Sequence, residues 1–177
     1  MATTWKVDPT HSEVSFKVKH LVITTVTGFF GTFDGTVVTE SEDDFTTGKV
    51  DFTIDTASIN TNQEQRDEHL KGADFFDVDN HPKMSFSSTS IEAKGDDEFV
   101  LKGDLTISGN TRPVTFNVDF GGTVTDAWGN YKAGFEVSGK ISRKDFGLTW
   151  SAVTEAGAVV VSDEVKLQAS LQFVKQQ

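Results

Sequence analysis

Apolar and polar residues alternate with a period of two along most of the 177-residue chain. In residues 12–20, Val14, Phe16, Val18 and His20 share one face, while Glu13, Ser15, Lys17 and Lys19 share the other. Residues 48–55 oppose Val50, Phe52 and Ile54 to Lys49, Asp51, Thr53 and Asp55. The same rhythm gathers Phe99, Leu101, Leu105 and Ile107 in 98–107, and Val114, Phe116, Val118 and Phe120 in 112–120. It gathers Ala133, Phe135, Val137 and Ile141 in 132–142, and Val165, Leu167, Ala169, Leu171 and Phe173 in 164–174. Successive side chains of a strand point to opposite faces, so each run predicts a strand with one buried face. Weaker patterns predict strands at 3–8, 28–39, 83–91 and 157–162. In 28–39, Phe29, Phe30 and Phe33 fall on mixed parity; a bulge near Gly31 or Gly35 would produce that, and the phase stays open.

Turn residues punctuate these runs at Asp34-Gly35, Gly95-Asp96, Ser108-Gly109-Asn110, Gly121-Gly122 and Gly129-Asn130. Short connections join antiparallel neighbours, and one-sided alternation marks a sheet solvated on its other face. About eight such strands must hide their edges, which closure into an antiparallel barrel achieves. A two-sheet sandwich is the competing arrangement. No linker, repeat or low-complexity tract divides the chain, so residues 1–177 are expected to form one domain.

Residues 56–82 break the rhythm. Asn62 to Lys71 suit a helix, with Thr61 or Asn62 as its cap, Glu64 in the first turn and Gly72 at its end. Arg66, His69 and Leu70 stand at i, i+3 and i+4 and share a face. Phe75-Phe76, Val78 and His81-Pro82 follow. A helix and an aromatic pair in a long loop would serve as a lid over a barrel mouth, or equally as a plug that completes the core.

Composition narrows the function. Acidic residues outnumber basic ones by 27 to 16, giving a formal charge of −11, a field that repels nucleic acid and anionic membranes. There is no cysteine, which excludes disulfides, thiolate catalysis and iron–sulfur ligation. No run of 18 apolar residues exists, so no transmembrane helix is expected. The N-terminus lacks the apolar stretch of a signal peptide, which predicts a cytoplasmic protein, or a periplasmic one whose signal has been removed. The chain holds 15 Phe against three Trp and one Tyr, a bias towards apolar bulk without polar handles.

Candidate chemistry is sparse. His11, His20, His69 and His81 show no metal-ligand spacing, and no metal or cofactor is expected. His11 follows Pro9-Thr10 in a turn and suits a capping role, whereas His20 ends an apolar face. Arg66 and Asp67 diverge as helical neighbours and need separate partners. Arg66 could pair with an acid in the Asp74–Asp79 segment, or meet an anionic head group. Arg143, beside Asp145, reads as a brace, and Phe146, Leu148 and Trp150 alternate after it. The pairs Asp43-Asp44 and Asp96-Asp97 read as surface charge in hairpin loops. No nucleophile elbow, dinucleotide-binding loop or phosphate loop appears.

Trp5-x-Val7-Asp8-x-x-His11-Ser12-x-Val14-x-Phe16-x-Val18-x-His20 resembles the opening signature of the YceI-like family. Arg66-Asp67-x-His69-Leu70, Asp74-Phe75-Phe76-Asp77-Val78 and Pro82-x-Met84-x-Phe86 are similar to its central motif. Gly103-x-Leu105-Thr106-Ile107-x-Gly109 and Ile141-x-Arg143-x-Asp145-Phe146-Gly147-Leu148 also match, in order, across nearly the whole chain. The resemblance implies a lipocalin-like barrel that holds a long apolar molecule, such as a polyisoprenoid or fatty-acid derivative. It also implies a homodimer. Many such relatives carry a secretion signal, which this sequence does not show.

The residue pattern is compatible with that expectation. The apolar wall would comprise Val14, Phe16, Val18, Leu70, Phe75, Phe76, Met84, Phe86, Leu101, Leu105, Phe116, Phe135, Val137, Ile141 and Leu167. His20, Arg66, His69 and Arg143 are the candidate head-group contacts. Gly103, Gly139 and Ala169, each between bulky neighbours, could leave volume for a hydrocarbon chain, or the glycines could be bends of a coiled sheet. The expected function is non-catalytic sequestration or transport of an amphiphile. The alternatives are an enzyme using His69 or His81 with Asp67 or Asp77 as acid and base, and a stress or structural protein whose core is packed shut.

Overall fold

The computed structural model describes residues 2–20, 23–42, 44–73, 75–148 and 161–177. Trp150 and most of the expected strand at 157–162 lie outside them. The strands in chain order are β1 (Thr3–Val7), β2 (Glu13–His20), β3 (Thr24–Phe30), β4 (Phe33–Thr39), β5 (Lys49–Asp55) and β6 (Ile59–Asn60). After helix α1 (Glu64–Lys71) come β7 (Lys83–Gly95), β8 (Glu98–Ile107), β9 (Asn110–Thr125), β10 (Tyr131–Ser142) and β11 (Val161–Lys175).

Neighbouring strands pair antiparallel in the order β1-β4-β5-β7-β8-β9-β10-β11, and β11 pairs back to β1 through Trp5↔Lys175 and Val7↔Phe173. The result is a closed eight-stranded antiparallel barrel of lipocalin-like, all-β type. β2, β3 and β6 extend three of its staves: β2 pairs β11 and β3, and β3 pairs β6. Closure leaves few bare edges.

The interruption in 28–39 falls at Gly31–Thr32, between β3 and β4. Spacing of three turns Phe30 into the core beside Phe16, with ring centroids 5.6 Å apart, and leaves Phe29 partly exposed. Two turn expectations are corrected. Asp34-Gly35 lies inside β4, with Gly35 opposite Phe52. Gly121-Gly122 lies inside β9, where the register with β10 shifts near Gly134 and Gly122 adopts φ 102°. That conformation is costly for any residue with a Cβ.

Aromatic rings close one end of the barrel. Trp5 is fully buried against Phe45 and Tyr131, with centroids 5.3 and 5.7 Å away. Phe45 also meets Phe120 and Phe135, at 5.5 and 5.1 Å. A one-turn 3-10 segment, Phe45–Thr47, delivers this ring from the acidic β4–β5 connection, capped by Asp44, whose side chain accepts from Thr46 N. Asp44, read from sequence as surface charge, thus also shapes the floor. Asp8 caps the turn Pro9–His11, and His11 serves as a partner of that cap through Nδ1, 2.8 Å from Asp8 Oδ2.

Candidate ligand-binding site

The alternating faces converge inside the barrel on a cavity of about 260 Å³. Eight strands enclose just enough room for one small ligand, and this volume lies slightly below the ~300–1,000 Å³ usual for small-molecule sites. Among the described residues its wall presents no polar surface.

All of the expected apolar wall lines it: Val14, Phe16, Val18, Leu70, Phe75, Phe76, Met84, Phe86, Leu101, Leu105, Phe116, Phe135, Val137, Ile141 and Leu167. Phe30, Phe45, Phe52, Ile54, Phe99 and Phe173 line it too and escaped the sequence reading as wall residues. Phe52, Phe99 and Phe173 carried a signal, since each belongs to an alternating face. Phe45 was a lone aromatic in an acidic loop. Phe30 was hidden by the phase change at Gly31.

The mouth is covered by α1 and the segment after it. α1 begins at Glu64 with Gln63 as its N-cap and no capping side chain, so neither Thr61 nor Asn62 caps it. Asn62 instead turns through φ 67°. Gly72 ends the helix with φ −79°, its N–H donating to His69 O. Beyond it Phe76 N donates to Leu70 O at 3.0 Å and Val78 N to Lys71 O at 3.0 Å. These bonds fold the chain back and turn Phe76 inward, edge-on to Phe30 at 5.9 Å. Phe75 meets the His69 ring at 5.1 Å.

The polar candidates are disposed differently. Arg66 does not reach into the Asp74–Asp79 segment for its described bonds, and Asp74 lies outside the described residues. Its Nε donates to Thr61 Oγ1 and its Nη2 to Thr61 O, both at 2.7 Å. Asp67 Oδ1 accepts from Thr61 N at 2.8 Å and from Thr61 Oγ1. Arg66 and Asp67 therefore converge on one residue, contrary to the expectation of separate partners. A buried threonine just before the first turn offers a hydroxyl that donates to one and accepts from the other. Neither Arg66 nor His69 lines the cavity. His20 ends β2, opposite Thr24 and Val161, and its side chain lies outside the described part.

Arg143 is buried and lines the cavity. Its guanidinium donates through Nε to Ser162 O at 2.9 Å and through Nη1 to Leu148 O at 2.6 Å. Since the wall shows no polar surface, its contribution to the lumen is its methylene stem. Asp145, which stands beside it in sequence, is exposed; Asp163 is the acid whose charge acts on Arg143. Burial lowers the guanidinium's affinity for its proton, and Asp163 opposes that shift. Burial also pushes Asp163 upward, but bonds from Ser142 Oγ and Lys144 N outweigh it and hold the carboxyl below its usual range.

The acid–base pairs considered from sequence are not assembled in the lumen. Asp67 is engaged by Thr61, and Asp77 accepts from Asn80 Nδ2 at 3.0 Å. His69 and His81 are absent from the lumen wall. Among the described residues no group of three or more His, Asp or Glu comes together in a metal-like cluster. No described helix is long and apolar enough to cross a membrane.

The family model of the YceI-like domain matches residues 5–173. The chain is 40% identical to Protein YceI of Salmonella newport over 178 aligned positions, covering 99% of this chain and 89% of that protein. BcnA of Burkholderia cenocepacia superposes with a TM-score of 0.81 at 25% identity, over 94% of this chain and 98% of that one. A polyisoprenoid-binding domain from Saccharophagus degradans, implicated in plant cell wall breakdown, shares the fold at 17% identity. Its TM-score is 0.67, over 97% of this chain and 98% of that one.

Proposed function

The chain belongs to the YceI-like family, and from its lumen we propose that it is a non-catalytic carrier of a long-chain apolar amphiphile, a polyisoprenoid or fatty-acyl derivative. The observation that carries this reading is a wall that presents only apolar surface around about 260 Å³ of open space. A barrel packed shut has no such lumen. An empty apolar cavity costs stability, so its retention favours an occupant. The polyisoprenoid-binding neighbour, which shares the fold, supports the class of ligand.

In this reading the tail lies along the barrel axis and stops at the floor of Trp5, Phe45 and Phe173. Each buried methylene contributes ~0.8 kcal/mol, so ten contribute roughly 8 kcal/mol before ordering costs. The head stays at the mouth beside α1, which carries the polar candidates Arg66 and His69. Arg143 braces the wall and touches the tail with its stem.

Native mass spectrometry after detergent-free purification tests the proposal. The expected result is a co-purifying lipid, or one-to-one uptake of geranylgeraniol or hexadecanol by emptied protein. A protein that carries nothing and takes up neither probe would overturn it.

A further inference from the structure

Four phenyl rings of the lumen wall lie against glycines of the neighbouring strand. A β-carbon at Gly28 would come within 2.3 Å of Phe16 Cζ, and one at Gly35 within 2.3 Å of Phe52 Cδ2. At Gly103 and Gly139 it would come within 2.6 Å of Phe86 Cζ and Phe116 Cδ1. Carbon atoms pack at about 3.5–4.0 Å, so each ring occupies the place a side chain would take. None of the four glycines has a left-handed φ; at Gly28, Gly35 and Gly139 the nearest obstacle is the ring, and at Gly103 it is Ser87 O, with the Phe86 ring next. The volume they free is thus filled by phenylalanine and not left to the ligand, which was one of the two readings of Gly103 and Gly139.

The device recurs around the barrel. Phe16 on β2 faces Gly28 on β3, and Gly35 on β4 faces Phe52 on β5, each as a registered pair. Phe86 on β7 lies against Gly103 on β8, and Phe116 on β9 against Gly139 on β10. All four rings line the cavity. The rings lie in these notches, against the wall of the sheet. Without a notch the wall behind is closed by the sheet, and a ring can yield only towards the lumen.

We propose that Gly28, Gly35, Gly103 and Gly139 are specificity-determining residues: they set the bore of the lumen and thereby admit methyl-branched isoprenoid chains as well as slender linear ones. This rests on the carrier reading. Gly35 and Gly139 give the cleanest tests, because the closest atoms at each belong to one ring, whereas a β-carbon at Gly103 would also meet Ser87 O at 2.4 Å.

The experiment compares uptake of geranylgeraniol and hexadecanol by wild type, Gly35→Ala, Gly139→Ala and Gly139→Ala with Phe116→Leu, each checked for folding by circular dichroism. A ring forced inward is expected to weaken geranylgeraniol about tenfold in both single variants, with hexadecanol much less affected. Phe116→Leu should restore uptake in the Gly139→Ala background. Geranylgeraniol affinity of the folded glycine variants unchanged from wild type, or loss that Phe116→Leu does not restore, overturns the inference. Should Gly139→Ala not fold, Phe116→Leu alone widens the bore and should favour geranylgeraniol over hexadecanol; an unchanged ratio overturns it. If wild type binds neither probe, the carrier reading fails. The notch is then judged by a crystal structure of Gly35→Ala: a Phe52 ring swung into the lumen supports it, and a ring left in place with a displaced strand refutes it.

Discussion

Arg143 shows how a charged side chain can belong to an apolar wall. Its head is spent on Ser162 O and Leu148 O, so only hydrocarbon faces the lumen. Removing it would take a charged donor from the buried Leu148 carbonyl and the part-buried Ser162 carbonyl. Arg143→Ala is therefore expected to cost about 1.5–3 kcal/mol, read as a lower urea midpoint. A surface lysine such as Lys140, paired to Glu164 at 3.7 Å with both ends exposed, should cost under ~1 kcal/mol when changed to Ala. Carboxyls held below their usual range tie stability to acidity, Asp8, Asp126 and Asp163 among the described residues. Hydrogen bonds from Thr10 and His11 hold Asp8 well below the usual carboxylate range, and Asp163 is held below it by Ser142 and Lys144. Lowered folded-state values mean stability that is complete above the unfolded value of about 3.9 and is lost as pH falls through the folded values. The melting temperature should be level from pH 7 to 5 and drop below about pH 4. Asp163→Asn should start lower and fall less. Sequence alone named Arg143 as a brace and noted Asp145 beside it, not Asp163. Asp163 lies twenty residues on, at the start of a strand whose pairing with β10 no local pattern reveals.

At the scale of elements, the strands were legible because alternation and burial say the same thing: Leu101, Leu105 and Ile107 are buried where the period places them. The failures lie where glycine has two meanings. Asp34-Gly35 reads locally as a turn, yet Gly35 is there for the Phe52 ring across the ladder. Gly121-Gly122 reads likewise and is a bulge within β9. The lid was legible as a helix followed by an aromatic pair, but its anchoring at Thr61 depends on how the chain enters α1. Phe76 seals the mouth through an edge contact with Phe30, and such contacts contribute about 0.5–1.5 kcal/mol. Phe76→Ala should therefore speed release of a bound fluorescent fatty acid severalfold, measured by stopped-flow transfer to vesicles, while far-ultraviolet circular dichroism stays unchanged. An unaltered release rate would place the exit elsewhere.

At the scale of the molecule, one design joins floor, wall and lid. Rings from Trp5, Phe45, Phe120, Phe135 and Phe173 shut one end, glycine-backed phenyls thin the wall, and α1 with Phe76 covers the other. The abundance of Phe over Tyr follows from this, since a phenolic hydroxyl in the lumen would lack a partner. The closure of the sheet was legible from the number of one-sided strands; the openness of its interior was not. Whether rings meet across an axis or fold back against it is decided by neighbouring strands, as at Gly139 and Phe116, and not by any one segment. Trp5 belongs to the same whole. Its Nε1 is buried with no hydrogen-bond partner among the described residues, so its side chain is held there by ring packing. Trp5→Ala should cost about 3–5 kcal/mol and let longer chains pass.

The most direct measurement is a crystal structure of protein purified without detergent, read for electron density along the barrel axis between Phe45 and Phe76. Continuous tubular density running from the floor to the lid, in contact with Phe86, Phe116 and Leu167, is the expected result. An axis crossed by the protein's own rings, with no bore left between them, would contradict the carrier account.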